Sequence, residues 1–281
     1  MSLSMGYVDF ILNLAGLLLW LNWRSIRFDP LAKRTPATLL GTLRPAAPRK
    51  LRRWHLLLVI AGLLVLRALF YWKIGTATGD TTSYLNLGVT APGFRRDIFW
   101  QILAFSFLSF GLTLGIFYVG LLVLSVLKGP DPVHRLVKIP LGRVDGWPRW
   151  AKIILPFFAT ALFWWLATWL FSWLQILPPP VSMAHRFEQS LVIGLGSYLV
   201  WKFPLGALLV LHILGSYIYF GKHPFWNYVK LTAQELLRPL KKIPLRLGRV
   251  DFAPVLALAL IFLAAELAGR ALNILYLRLP F

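Results

Sequence analysis

Two short stretches of this chain combine cations, a carboxylate, glycine and proline at matching spacing. The first reads Lys138-Ile139-Pro140-Leu141-Gly142-Arg143-Val144-Asp145-Gly146-Trp147-Pro148. The second follows Lys241 and reads Lys242-Ile243-Pro244-Leu245-Arg246-Leu247-Gly248-Arg249-Val250-Asp251-Phe252-Ala253-Pro254. Both follow K-I-P-L, an optional pair of residues, then G-R-V-D-x-x-P, and each leads into a long apolar run.

Each part of this motif has a physical task. The Lys-Ile-Pro step brings a cation to a headgroup layer and stops the preceding helix. Gly142 and Gly248 permit a tight turn with positive φ. Arg143 and Arg249 can grip a lipid phosphate with a bidentate fork. Asp145 and Asp251 stand just ahead of the apolar run, with Pro148 and Pro254 three residues on. A carboxylate there can cap a helix amino terminus, and proline is tolerated in the first turn. Two readings follow: a lipid or partner contact site, or a helix cap joined to a membrane anchor.

Three further ionisable residues fall inside apolar runs: Arg67, Glu266 and Arg270. Buried charge in a membrane calls for a partner. Glu266 and Arg270 lie four apart on one helical face, which predicts an internal salt bridge. Arg67 has no partner in its own run and is expected to meet Glu266 across the bundle. The histidines (His55, His134, His185, His212, His223) are scattered, with no acidic cluster beside them, so no metal site is expected. No nucleotide-binding or nucleophile-elbow motif occurs, and neither a cofactor nor an enzymatic activity is expected.

The elements that hold these residues are set by composition. Of 281 residues, 58% are hydrophobic and only 14% charged. Several apolar runs exceed the roughly 18 residues needed to cross a bilayer core of about 30 Å. The expected fold is all-α: a polytopic membrane protein of about six transmembrane helices in hairpin-type repeats. The runs are placed near 7–23, 54–74, 97–127, 153–177, 187–220 and 255–277. The first is read as a retained helix, not a cleaved leader. The chain has no cysteine, which excludes disulfides and thiol chemistry.

Net charge is +20. The basic residues sit in loops between apolar runs, so orientation in a membrane explains them better than nucleic acid does. The loops after runs one, three and five hold nine, six and seven Lys/Arg, whereas the segments after runs two, four and six hold two, one and one. The positive-inside rule puts the rich loops in the cytoplasm and both termini on the other side. Anionic headgroups are the expected partners of those loops.

The duplication extends past the motif. Aligning Phe94 with Phe187 brings Leu127 onto Phe220 without a gap, and Gly111 onto Pro204. This predicts an amino-terminal hairpin (1–93) and two repeats (94–177 and 187–281). An unbroken helix over either 34-residue segment would span about 51 Å, so each copy needs a bend, a tilt or a part outside the core. The second loop holds extra residues, His223–Pro239. Phe225, Trp226, Val229, Ala233, Leu236, Leu237 and Leu240 share one face there, which predicts an amphipathic helix at the membrane surface. The alternative is a loop helix packed on its own protein.

The string Leu236-Leu237-Arg238-Pro239-Leu240-Lys241-Lys242-Ile243-Pro244, followed by Gly248 to Pro254, resembles the YggT family of small integral membrane proteins. Those proteins pair a helix, a basic loop with this motif and a second helix, often twice. The likeness is strong over 221–277 and weaker over 98–177; residues 1–74 lie outside it. Ala253 stands where serine is common. The resemblance implies a non-enzymatic inner-membrane factor, associated with cell division, osmotic tolerance or cytochrome assembly, and a membrane-protein partner or homo-oligomer. A small transporter or channel is the alternative, because duplicated units with interrupted helices are a transporter feature.

Overall fold

Inside a bilayer a backbone must satisfy its own N–H and C=O groups, so long apolar runs become helices. The computed structural model describes residues 2–25, 53–78, 82–127, 140–178, 182–218, 224–242, 246–247 and 250–279. The helices are α1 (Ser2–Ser25), α2 (Arg53–Thr78), α3 (Phe99–Val126), α4 (Arg149–Trp173), α5 (Met183–Gly196), α6 (Lys202–Tyr217), α7 (Pro224–Leu236) and α8 (Ala253–Leu277). Two small antiparallel hairpins join them: β1 (Thr82–Tyr84) with β2 (Gly93–Arg95), and β3 (Arg246–Leu247) with β4 (Val250–Asp251).

Five stretches are long and apolar enough to cross a membrane: Trp54–Lys73, Phe99–Val126, Arg149–Trp173, Met183–Tyr217 and Ala253–Leu277. The protein is membrane-embedded and helical. The first of the six expected spans, α1, is a helix but falls outside these five. Its run is broken by Asp9, Asn13, Asn22 and Arg24.

The two long aligned segments differ in build. Met183–Tyr217 is interrupted by a 3-10 turn at Ser197–Trp201, between α5 and α6. Pro204 explains the break: it has no N–H to offer the Val200 carbonyl, and its ring crowds that group. In the other segment, α3 runs unbroken through Gly111, so no bend forms at that position. Phe94, the partner of Phe187 in the alignment, lies in a strand. The first copy therefore meets the length limit by starting its helix later.

The chain divides into two units, Met1–Thr81 with Arg96–Thr113, and Thr82–Arg95 with Leu114–Phe281. This division falls within α3, elsewhere than the three segments read from the repeats. In the first unit the Ser106 hydroxyl donates to the Leu64 carbonyl at 2.8 Å, tying α3 to α2. In the second, α4 and α5 pack closely through Gly194. A Cβ there would stand 2.9 Å from the Phe157 carbonyl oxygen and 3.0 Å from the Ala161 Cβ. The β1–β2 hairpin packs into this unit. Phe94 is fully buried and meets the Phe171 ring edge-on, and Val89 fits against Gly196. Asn273 of α8 donates to the Val89 carbonyl at 2.7 Å.

A helix, α7, forms over Pro224–Leu236. Its apolar face is turned onto the protein: Val229 and Ala233 pack with Leu208 of α6, and Leu237 with Leu209 and Ala257. The protein's own α6 and α8 thus cover the stripe that a membrane surface was expected to take.

Candidate functional site

The first motif copy is described from Pro140 onward; Lys138 lies outside the described residues. Gly142 has φ +59°, the left-handed region the turn requires. A 3-10 turn follows over Gly142–Gly146. Leu141 anchors it by packing on Leu122 of α3. Pro148 then occupies the cap position of α4, in extended conformation and with no side-chain cap bond.

Asp145 is thus not the cap of the following helix. Its carboxylate accepts a hydrogen bond from the Ser125 hydroxyl at 2.6 Å. The Lys152 ammonium, one turn into α4, donates to the same hydroxyl at 2.7 Å and stands 3.8 Å from the carboxylate. All three side chains are buried. One serine thus bridges a cation and an anion taken from α3, the turn and α4. A serine and a lysine in contact also suggest nucleophilic catalysis, which needs a neutral amine and an open approach to the hydroxyl. Here the amine serves a carboxylate and the hydroxyl is enclosed. The arrangement suits charge neutralisation, holding the turn to both helices.

Arg143 and Trp147 of the motif face outward. Arg143, Trp147, Arg149 and Trp150 are exposed at the start of α4. Two guanidinium groups beside two indoles match what an anionic headgroup layer offers: phosphates for one, an apolar–polar boundary for the other.

In the second copy Pro244, Gly248 and Arg249 lie outside the described residues. Lys241 and Lys242 close a 3-10 turn, Arg238–Lys242. Arg246 and Asp251 are paired across the β3–β4 ladder. Phe252 is the cap residue of α8, again without a side-chain cap bond, and Pro254 sits in the first turn as expected. Asp251 therefore precedes the cap position. The residue seven places after it is Leu258, where the first copy has Lys152. The second copy lacks a cation at that position.

The intramembrane charges are placed as follows. Arg67 is buried and finds its charge partner in Asp9 of α1, in place of the Glu266 expected. It also donates to Asn13 at 2.8 Å and to the Ser109 hydroxyl at 3.0 Å, and the Tyr71 hydroxyl donates to Asp9 at 2.5 Å. Glu266 and Arg270 pair at 2.9 Å as expected. They do so on the exposed face of α8, however, not inside the bundle. A further buried cation, Arg186, donates to Thr168 at 2.7 Å and lies over the Trp165 ring.

Ser125, Lys152, Asp9, Asn13 and Thr168 are absent from the sequence reading. Asp9 and Asn13 were legible as two polar residues four apart in an apolar run. Lys152 was legible as a lysine in the first turn of one. Among the described residues no group of three or more His, Asp or Glu could hold a metal ion. No family model, curated protein or solved structure matches this chain.

Proposed function

We propose that this protein is a non-enzymatic organising or assembly factor of a bacterial inner membrane, of YggT type, with the motif loops on the cytoplasmic face. In this reading the motif holds anionic lipid at the mouth of a transmembrane helix and fixes the local geometry on which a membrane partner docks. The observation that carries it is the division within the first motif. Asp145 is turned inward onto Ser125 and Lys152, while Arg143, Trp147, Arg149 and Trp150 are left exposed. Charge asymmetry supports the orientation. Of the four cations on the poorer side, Arg96 and Arg186 are buried, so even less positive charge is offered there. The extra helix α7 would then lie at the cytoplasmic surface, between the membrane and the second motif.

One observation favours a transporter instead: the break at Ser197–Trp201 in a long apolar helix. Two experiments separate the readings. Affinity purification from native membranes with protein mass spectrometry should recover a constant membrane-protein partner. Proteoliposomes holding the purified chain should show no flux of ions or small solutes above empty vesicles. Flux without a partner would replace the organising role by transport.

A further inference from the structure

We infer that α8 forms a homodimer interface. The face carrying Glu266 and Arg270 packs on the same face of a second copy, about a two-fold axis along the membrane normal. This goes beyond the organising role and stands apart from lipid contact at the motif.

Three observations lead here. First, α8 is the least covered span: 6% of its apolar stretch is buried, against 17% to 33% for the other four. Second, its outward face carries charge near the middle of the span. The Glu266 and Arg270 side chains are 58% and 73% exposed, and the Arg270 guanidinium donates to Glu266 at 2.9 Å. An ion pair facing hydrocarbon at that depth is costly. Helical side chains lean toward the helix amino terminus, and this bond holds the guanidinium toward mid-membrane, where it cannot reach the far headgroup layer. Third, the flanking residues on that face, Leu263, Leu267 and Ile274, are all exposed and recur at coiled-coil spacing.

A second copy is the occupant because the charge pattern is self-complementary. A two-fold axis places the same patch on both sides. Parallel helices then bring Glu266 of each copy beside Arg270 of the other. Two isolated ion pairs become one ring of alternating charge, shielded by Leu263 on one side and Ile274 on the other. An unrelated helix would need an acid and a base at matching depth; a second copy has both.

Single cysteines in this cysteine-free chain provide the test. Leu263→Cys and Leu267→Cys should give disulfide-linked dimers on mild oxidation in native membranes. Ile261→Cys and Leu272→Cys, on the partly covered face, should remain monomeric. In a second test, a Glu266→Arg chain and an Arg270→Glu chain carrying different tags are co-expressed. Heterodimers should exceed either homodimer by about tenfold, because only the mixed pair sets opposite charges across the interface. Lipid binding at the motif, measured on the same variants, should stay unchanged, which separates this interface from the organising role. The interface is overturned if Leu263→Cys and Leu267→Cys cross-link no more than Ile261→Cys. Cross-linking mainly to a different protein overturns it as well. So does self-association of both charge variants as strong as that of the unaltered chain.

Discussion

Lys152 and Asp145 stand 3.8 Å apart with the Ser125 hydroxyl bonded to both, so one serine joins a buried cation to a buried anion. Removing Lys152 takes a buried cation away from a buried carboxylate. Lys152→Met should cost about 3–5 kcal/mol of stability. The double variant Lys152→Met with Asp145→Leu should recover most of that loss. Melting curves in one detergent decide it. A double variant no better than the sum of the singles would show that the pair does not hold the turn.

Arg67 serves a network of the same kind in α2, with Asp9, Asn13 and Ser109 as acceptors. Its side chain is fully buried, whereas Asp9 is partly exposed. Arg67→Met should therefore destabilise by about 3–5 kcal/mol. Asp9→Asn, which keeps an acceptor for Arg67 and Tyr71, should cost about 1–2 kcal/mol. Thermal unfolding of the two variants side by side gives the order, and equal losses would contradict it.

Gly194 and Gly111 offer a contrast in packing. A side chain at 194 meets the backbone of α4, which cannot yield, so Gly194→Val should cost about 1–3 kcal/mol by forcing α4 and α5 apart. Gly111 has open space around it, and Gly111→Ala should stabilise α3 by about 0.5–1 kcal/mol. Both are read from the shift in melting temperature.

Tyr228 of α7 is buried, and burial raises the pKa of its hydroxyl from the ordinary value of 10.0. The neighbouring Thr232 hydroxyl offsets part of that rise. Above pH 10 the unfolded chain loses this proton while the folded chain keeps it. Stability must then fall as pH rises. Tyr228→Phe should flatten that decline between pH 9 and 11. The slope of melting temperature against pH in the two proteins measures this.

The helices were legible because hydrophobic run length alone requires them. The Pro204 interruption was legible because proline acts locally. Partners across the fold were not. Arg67 was matched to Glu266, an acid in another long run, because sequence spacing does not report which helices touch. Asp145 was read as a cap because an acid ahead of a helix usually acts through neighbouring N–H groups. Here it also meets a lysine one turn into the helix and a serine at the end of the previous one. The apolar residues of α7 recur at helical spacing, but periodicity cannot say whether lipid or protein covers them.

The division of labour within the motif is tested most directly by native mass spectrometry with defined lipids, run on two variants of the first copy. Arg143→Gln with Arg149→Gln removes two exposed cations, each worth about 1 kcal/mol of attraction to an anionic surface. Preference for anionic over zwitterionic lipid should fall by about 30-fold, with the melting temperature nearly unchanged. Asp145→Asn should lower the melting temperature and leave lipid preference intact. Full lipid preference in the double-Gln variant would contradict the account. So would loss of that preference in Asp145→Asn at an unchanged melting temperature.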